Sequence, residues 1–486
     1  VHDPALGYSY AFQARNGADS VFYDYLTTPV AYRALDIAQL AKGGLEERIP
    51  GLHSFKRWNH VAGILEAVRY FGHERKHSEE NIALYGLIAT VGDLAHGVKS
   101  HATDIMVEGP GKSEDFHDTR AKQAIEHGGI KKVLQKHGVN LKMTEDGAIT
   151  NDVPEWVETS LPDICVDRAN YIAGEASVWF LGNETVRSAI SMDSLTITQD
   201  GKMAFKDLEN ARAWGKLGLL FSSEHWNDPV DRTILMVMVE TIKRSILNRY
   251  IPAIDELDNG TPARVEDYTF LTDDIFDATL RDRANHRHHP DRFMTAARYL
   301  LRDIGVTERE RFEAHKRESY LDFIEDEEAS DYPSELVNPD SAKYGPRPVS
   351  IDFLTANEHA QAVEESEDKG NIFTLKGKPL GVIKQLKQRI YDPLVVTQAG
   401  AQRVSQIDKN YAQLLEQHKV ALDYVGAIRL LMNEEVRREF VEAVDDNKAR
   451  MERDLRCLQP DELRRMISGS AENALRQAIE NGTWEE

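Results

Sequence analysis

Asp93, His96, His101 and Asp104 fall within one stretch of the chain, residues 91–104. Two imidazoles and two carboxylates so close together are the donors a divalent metal requires, or a general acid held beside one. Asp93 and His96 are three residues apart and would share a helical face. The rival reading is a polar helix end that merely carries histidines, and the rest of the chain has to decide between the two. An apolar, helix-like run over residues 82–91 leads into the stretch, so its polar groups emerge where a buried helix ends.

Other elements carry residues of the same kind. Thr28-Pro29 marks a turn, and an amphipathic helix is expected over residues 30–40, closed by Gly43-Gly44. Arg57-x-x-His60 opens a helix whose apolar side is Val61, Ile64, Leu65, Val68 and Phe71, so His60 stands at a helix start, able to point into a cleft. His117 begins a further helix after a Gly/Pro loop at residues 108–113. Asp163 and Asp167 sit at another helix start, where helix capping is the plain alternative to chemistry. Residues 194–205 alternate around Asp200-Gly201 and predict a hairpin. Long helices are expected over 231–248 and from 268 to 280.

Taken in order, Arg57-x-x-His60, Asp93-x-x-His96-x-x-x-x-His101-x-x-Asp104, His117 and Asp167-Arg168-x-x-Tyr171 resemble the HD-domain metal phosphohydrolases, most of all the deoxynucleoside-triphosphate triphosphohydrolases. Residues 28–40 and 268–276 are similar to segments that flank the family's core. The resemblance implies one divalent metal ion (Mg, Mn, Fe or Zn) held by His60, Asp93 and Asp167. It implies catalytic roles for His96, His101, Asp104 and His117, with His117 or His101 as proton donor and Asp104 orienting its partner imidazole. Gln39, Leu40, Arg57, Arg168, Tyr171 and Glu175 would hold the nucleotide, the arginines gripping phosphate.

Besides Arg168 in place of a lysine and Glu175 in place of an aspartate, the chain departs from the family in two places. Gly92 stands where the family's His-Asp pair has its histidine, and glycine offers no ligand atom. Three outcomes stay open: water completes the shell, His96 turns in, or the metal is lost and the domain only binds its ligand. Near residues 221–226 the family carries an arginine and then a tyrosine for the triphosphate. This chain offers Glu224 and Asp231, with Arg232 close by. A carboxylate there disfavours a substrate of several negative charges. The expected function is hydrolysis of (deoxy)nucleotides such as dNTPs. The alternatives are a degenerate domain that binds nucleotide without turnover, or hydrolysis of another small phosphoester such as a nucleoside monophosphate.

Composition narrows the classes. Lysine and arginine number 59 against 81 acidic residues, a net charge of −22. That field argues against general nucleic-acid or acidic-membrane binding. Two cysteines, Cys165 and Cys457, build neither a disulfide framework nor a cysteine zinc site. Without a run of eighteen apolar residues or a signal-like segment, a cytoplasmic protein is expected. The fold expected is mainly α: an HD-type helical core with short β-hairpins and a C-terminal helical extension. Its divisions are a core over residues 1–325, an acidic, proline-containing linker over 326–379, and helices over 380–486 that cover the core or a homo-oligomer interface. His286, His288 and His289 precede a proline and read as a solvated turn.

Overall fold

The computed structural model describes residues 17–39, 55–108, 116–144, 148–180, 182–226, 271–284, 317–331 and 389–424. It also describes short strands at 2–3, 8–9, 349–353 and 428–432 and six helical positions between 235 and 245. The chain is mainly helical. Its centre is the antiparallel pair α3 (Arg57–Glu74) and α4 (Glu79–Leu94), against which α1 (Gly17–Leu26) and α8 (Val166–Trp179) pack.

The apolar spacing read from the sequence explains this centre. Val61, Ile64, Leu65, Val68 and Phe71 of α3 are all fully buried. Helix α4 is capped at its start by Ser78, whose hydroxyl accepts the Asn81 N–H, with Glu79 and Glu80 in the first turn. It ends at Leu94, and the chain then folds tightly through residues 95–100 into α5 (His101–Glu108).

That tight passage needs outside support. Lys99 and Ser100 both take left-handed backbone angles, φ 57° and 52°, which cost about 1–3 kcal/mol each for residues other than glycine. The Lys99 N–H donates to Asp273 Oδ1 at 2.7 Å, and Asp273 Oδ2 accepts the Ala38 N–H at 3.0 Å. Lys99 Nζ meets Asp277 at 2.9 Å. Arg33 of α2 (Pro29–Ala34) donates to the carbonyls of His96 at 2.6 Å and Leu271 at 3.0 Å. The helix Asp273–Ala284 therefore clamps the passage that leads from Asp93 to His101.

Two expectations are corrected here. The helix expected over 30–40 stops at Ala34. The chain turns instead, and residues 37–39 bridge to residues 55–57 through Gln39 N–H to Phe55 O and Arg57 N–H to Ile37 O, both 2.9 Å. The bridge satisfies the backbone there as well as a helix would and also carries Ala38 to Asp273. The second correction lies beyond residue 380, where only helix was expected. Strands Leu394–Thr397 and Gly400–Arg403 form a hairpin there, with Gly400 at φ 104°. Val395 pairs in parallel with Phe205 of the expected hairpin Leu195–Ile197/Met203–Phe205, which makes a four-stranded sheet. Residues 428–432, read as helix, form a strand paired with 349–353.

Tyr411 and Asp408 tie this later segment to α10 (Leu208–Phe221) and the core. The Tyr411 hydroxyl donates to the Tyr391 carbonyl at 2.6 Å, and Arg212 Nε donates to Asp408 at 2.5 Å. Helical positions near Leu235 and Ile242 are buried, as the expected 231–248 helix requires. The histidines at 286, 288 and 289, and residues Asp231 and Arg232, lie outside the described residues. No helix among the described residues is long and apolar enough to cross a membrane.

Asp273→Ala leaves two buried N–H groups without their acceptor. The expected loss is about 1–3 kcal/mol for each, read from urea midpoints. An unchanged midpoint would show that the clamp contributes nothing.

Candidate functional site

Three elements converge on one point. Helix α3 brings His60, the last turn of α4 brings Asp93, and the first turn of α8 brings Asp167. His60 is buried, with its Nε2 lying 3.4 Å from Asp93 Oδ2 and 3.0 Å from Asp167 Oδ1. On the other side of the ring, Nδ1 is 2.7 Å from Asn170 Oδ1. An amide oxygen only accepts, so Nδ1 carries the proton and Nε2 is the atom left to face the carboxylates. A neutral imidazole would there aim a lone pair at two anions. Only a cation between them, a proton or a metal ion, makes the arrangement favourable.

The ionisation of the group follows from that geometry. Burial alone would lower His60, but the Asp93 charge and the hydrogen bonds to Asp167 and Asp93 outweigh it and raise the imidazole to about 10. Burial likewise works to raise Asp93, yet His60 and then Arg57 hold its carboxyl below the usual range. The donor set of one imidazole and two carboxylates, with its ligand atoms within 4.8 Å of one another, fits a divalent cation. The Asn170 contact is the kind of outer partner that orients a metal-binding imidazole.

A second cluster adjoins the first. Asp104 is fully buried, and its Oδ2 lies 3.0 Å from His101 Nδ1, 2.9 Å from His117 Nδ1 and 3.4 Å from His96 Nδ1. His96 stacks on His117 with ring centroids 3.6 Å apart and meets His101 edge-on at 4.8 Å. Burial, then the charges of Arg57, His117 and His101, push His96 well below its ordinary value, so it is neutral. His117 also loses by burial, but its hydrogen bond to Asp104 prevails and raises it. Asp104 is lowered, because His101 and His117 overcome the cost of burying it. Both rings turn Nδ1 to Asp104, and Nε2 of His117 lies 3.6 Å from Asp118 Oδ1.

Arg57 joins the clusters. Its Nη1 donates to Asp93 Oδ1, while Nη2 reaches Ser100 Oγ at 2.5 Å and the Gln39 carbonyl at 3.2 Å. A Cβ placed on Gly92 would come within 3.8 Å of His117 Cδ2, which sets the second cluster directly beside Asp93.

The residues expected to hold a nucleotide are mostly engaged with the protein itself. Arg57 is buried in the contacts just given. Arg168 folds back over its own helix start, donating at 3.3 Å to the Asp163 carbonyl and to Cys165 Sγ, with Glu158 3.9 Å away. The Tyr171 hydroxyl meets the Tyr391 hydroxyl at 2.6 Å. Gln39 is buried, and its side-chain Oε1 has no hydrogen-bond partner among the described residues. Glu175 is buried one turn beyond Tyr171. Leu40 and the side chain of Glu224 lie outside what the structure describes. Asp163 is no helix cap, because its carboxylate pairs with Lys202 and Arg403.

Sequence reasoning missed Asn170, Asp118 and Glu158. Asn170 lies three residues after Asp167 on one helix, so spacing alone could have found it. Nothing in the sequence marks Asp118 or Glu158. Half of the Glu158 side chain is exposed, 53%. The protein around its carboxyl and then the Asp167 charge nonetheless raise it to about 7, against Arg168.

No family model matches the chain. The uncharacterized protein YdhJ of Bacillus subtilis (strain 168) is 27% identical over 209 residues, which cover 40% of this chain. The match spans 57% of that relative's length. Among solved structures, a hypothetical protein from Aquifex aeolicus is similar with TM-score 0.48 and 13% identity, over 91% of this chain and 99% of that one. A phosphohydrolase from Bacteroides thetaiotaomicron VPI-5482 is similar with TM-score 0.49 and 12% identity, over 89% and 99%. At that level neither structure speaks to the chemistry of the site.

The raised His60 value sets a pH dependence for the metal-free protein. A folded value near 10 against an ordinary 6.5 gives stability fully present below 6.5 and lost as pH rises towards 10. Urea midpoints in chelator are expected to fall across that window and to flatten in His60→Gln. A wild-type profile already flat from pH 7 to 10 would contradict the cation requirement.

Proposed function

We propose that the protein is a metal-dependent phosphohydrolase of the HD type that acts on a nucleotide. The observation that supports this most is His60 held by Asn170 between Asp93 and Asp167, beside imidazoles ordered by Asp104. A divalent cation held by His60, Asp93 and Asp167 supplies charge neutralisation at the phosphoryl oxygens and acidifies water. The remaining steps belong to the chain. Asp104 fixes the His101 and His117 rings through Nδ1–H. His117, raised by Asp104, carries the proton and delivers it to the leaving oxygen as a water oxygen bonds to phosphorus and the phosphorus–oxygen bond of the ester breaks. Asp104 stabilises the charged ring until then. Neutral His96, stacked beneath, adds no competing charge.

The charge around the site supports a smaller substrate than a triphosphate. Arg57 and Arg168, the cations expected for a phosphate tail, are turned to Asp93 and to the start of α8. Asp167 adds negative charge close by, and Glu158, raised to about 7, adds part of one near neutral pH. A tail of several negative charges would meet repulsion, with little among the described residues to offset it. Within the nucleotides we therefore favour a nucleoside monophosphate over dNTPs. Gly92 favours a second reading, nucleotide binding without turnover, and a turnover assay separates the two.

Asp93→Ala and Asp167→Ala are expected to lose bound metal and at least about 10³-fold in turnover on a nucleotide panel. Turnover indifferent to both substitutions would remove the proposal. His117→Gln should lower kcat about 10²–10⁴-fold and remove the fall of the pH–rate profile on its alkaline side. An unaltered alkaline limb would assign the proton to another group.

A further inference from the structure

The space beside Gly92 is taken by a carboxylate. A Cβ built on Gly92 would lie 2.7 Å from Asp118 Oδ1, and the nearest atom of any other residue, His117 Cδ2, is 3.8 Å away. Asp118 thus stands where a side chain of residue 92 would begin, next to Asp93. Its position is imposed by its surroundings. It belongs to the short 3₁₀ turn Phe116–Arg120, which packs on α4. The His117–Asp104 bond at 2.9 Å and Arg120 lying over the Phe116 ring at 5.5 Å hold that turn. Asp118 Oδ1 also lies 3.6 Å from His117 Nε2. The Asp118 and Asp167 charges both act on Glu158. The Asp118 side chain is 66% exposed, and its oxygens lie outside the group of His60, Asp93 and Asp167 ligand atoms that stand within 4.8 Å of one another, so ligation requires a rotation about its own side-chain bonds.

On the reading of His60, Asp93 and Asp167 as metal ligands, we infer that Asp118 supplies the fourth protein donor to that cation, in place of the histidine that Gly92 lacks. One imidazole with three carboxylates is a harder donor set than two imidazoles with two carboxylates. The site should therefore prefer manganese or magnesium to zinc more strongly than a site with a histidine at 92. The glycine and the aspartate are then two halves of one exchange. A histidine at 92 would require Asp118 Oδ1 to move aside, and removing Asp118 alone would leave the ion one donor short.

The test titrates the purified full chain with Mn²⁺ alone and Zn²⁺ alone by calorimetry, with thermal melts in chelator as the control for folding. Asp118→Asn is expected to weaken Mn²⁺ binding about 10–100-fold with an unchanged melt in chelator. Gly92→His combined with Asp118→Gly is expected to restore tight binding and to move preference towards Zn²⁺. Wild-type Mn²⁺ affinity in Asp118→Asn, while Asp93→Ala loses the ion, would overturn the role of Asp118 and leave the three-donor site standing. Wild-type affinity in Asp93→Ala and Asp167→Ala would overturn the metal site itself.

Discussion

A buried imidazole faces two carboxylates, and nearly everything else in the site follows from how that conflict is settled. His60 cannot turn away, because Asn170 holds Nδ1 at 2.7 Å and α3 is locked into the core by its apolar face. Asp93 and Asp167 arrive from the ends of different helices, so neither can retreat without unravelling a terminus. Unpaired charge in such a place costs several kcal/mol. A cation between the three groups, a proton or a metal ion, removes the cost. Binding and folding are thereby linked through one set of atoms.

The second constraint is the passage from α4 to α5. Two residues in the left-handed region are expensive, and Asp273, Arg33 and Lys99 offset that expense with hydrogen bonds to backbone and to Asp277. The reward is geometric. Within a few residues the chain presents Asp93 to His60 and Asp167, and His96, His101 and Asp104 to the cluster that His117 completes. Arg57 then stitches Asp93, Ser100 and Gln39 together from inside. A guanidinium committed to that task contributes structure first.

Residues 389–424 are part of the same body. Its hairpin extends the core's own sheet at Phe205 and Val395, and Tyr391 bonds Tyr171 on the helix that carries Asp167. Arg389 lies over the rings of Tyr171 and Trp226 at 5.6 and 5.2 Å. The wall of the site is therefore built partly from chain more than two hundred residues away in sequence.

Order and spacing carried much of this protein on their own. The periodic apolar faces of α3 and α4, the Asp200-Gly201 hairpin, and the residues now gathered into two clusters could all be read from residue type. Helical periodicity and ligand chemistry are local properties, and they survive in a one-dimensional string. The end of α2 could not be read that way, because it depends on residues 37–39 meeting residues 55–57. The strands after residue 390 were missed although Val395, Val396 and Gly400 signal them, since charged neighbours mimic a helical face. Asp118, the turning inward of Arg57 and Arg168, and the clamp by Asp273 were decided by tertiary structure alone. Each depends on which atoms distant segments bring within a few ångströms, and pairing at that range has no periodicity to betray it.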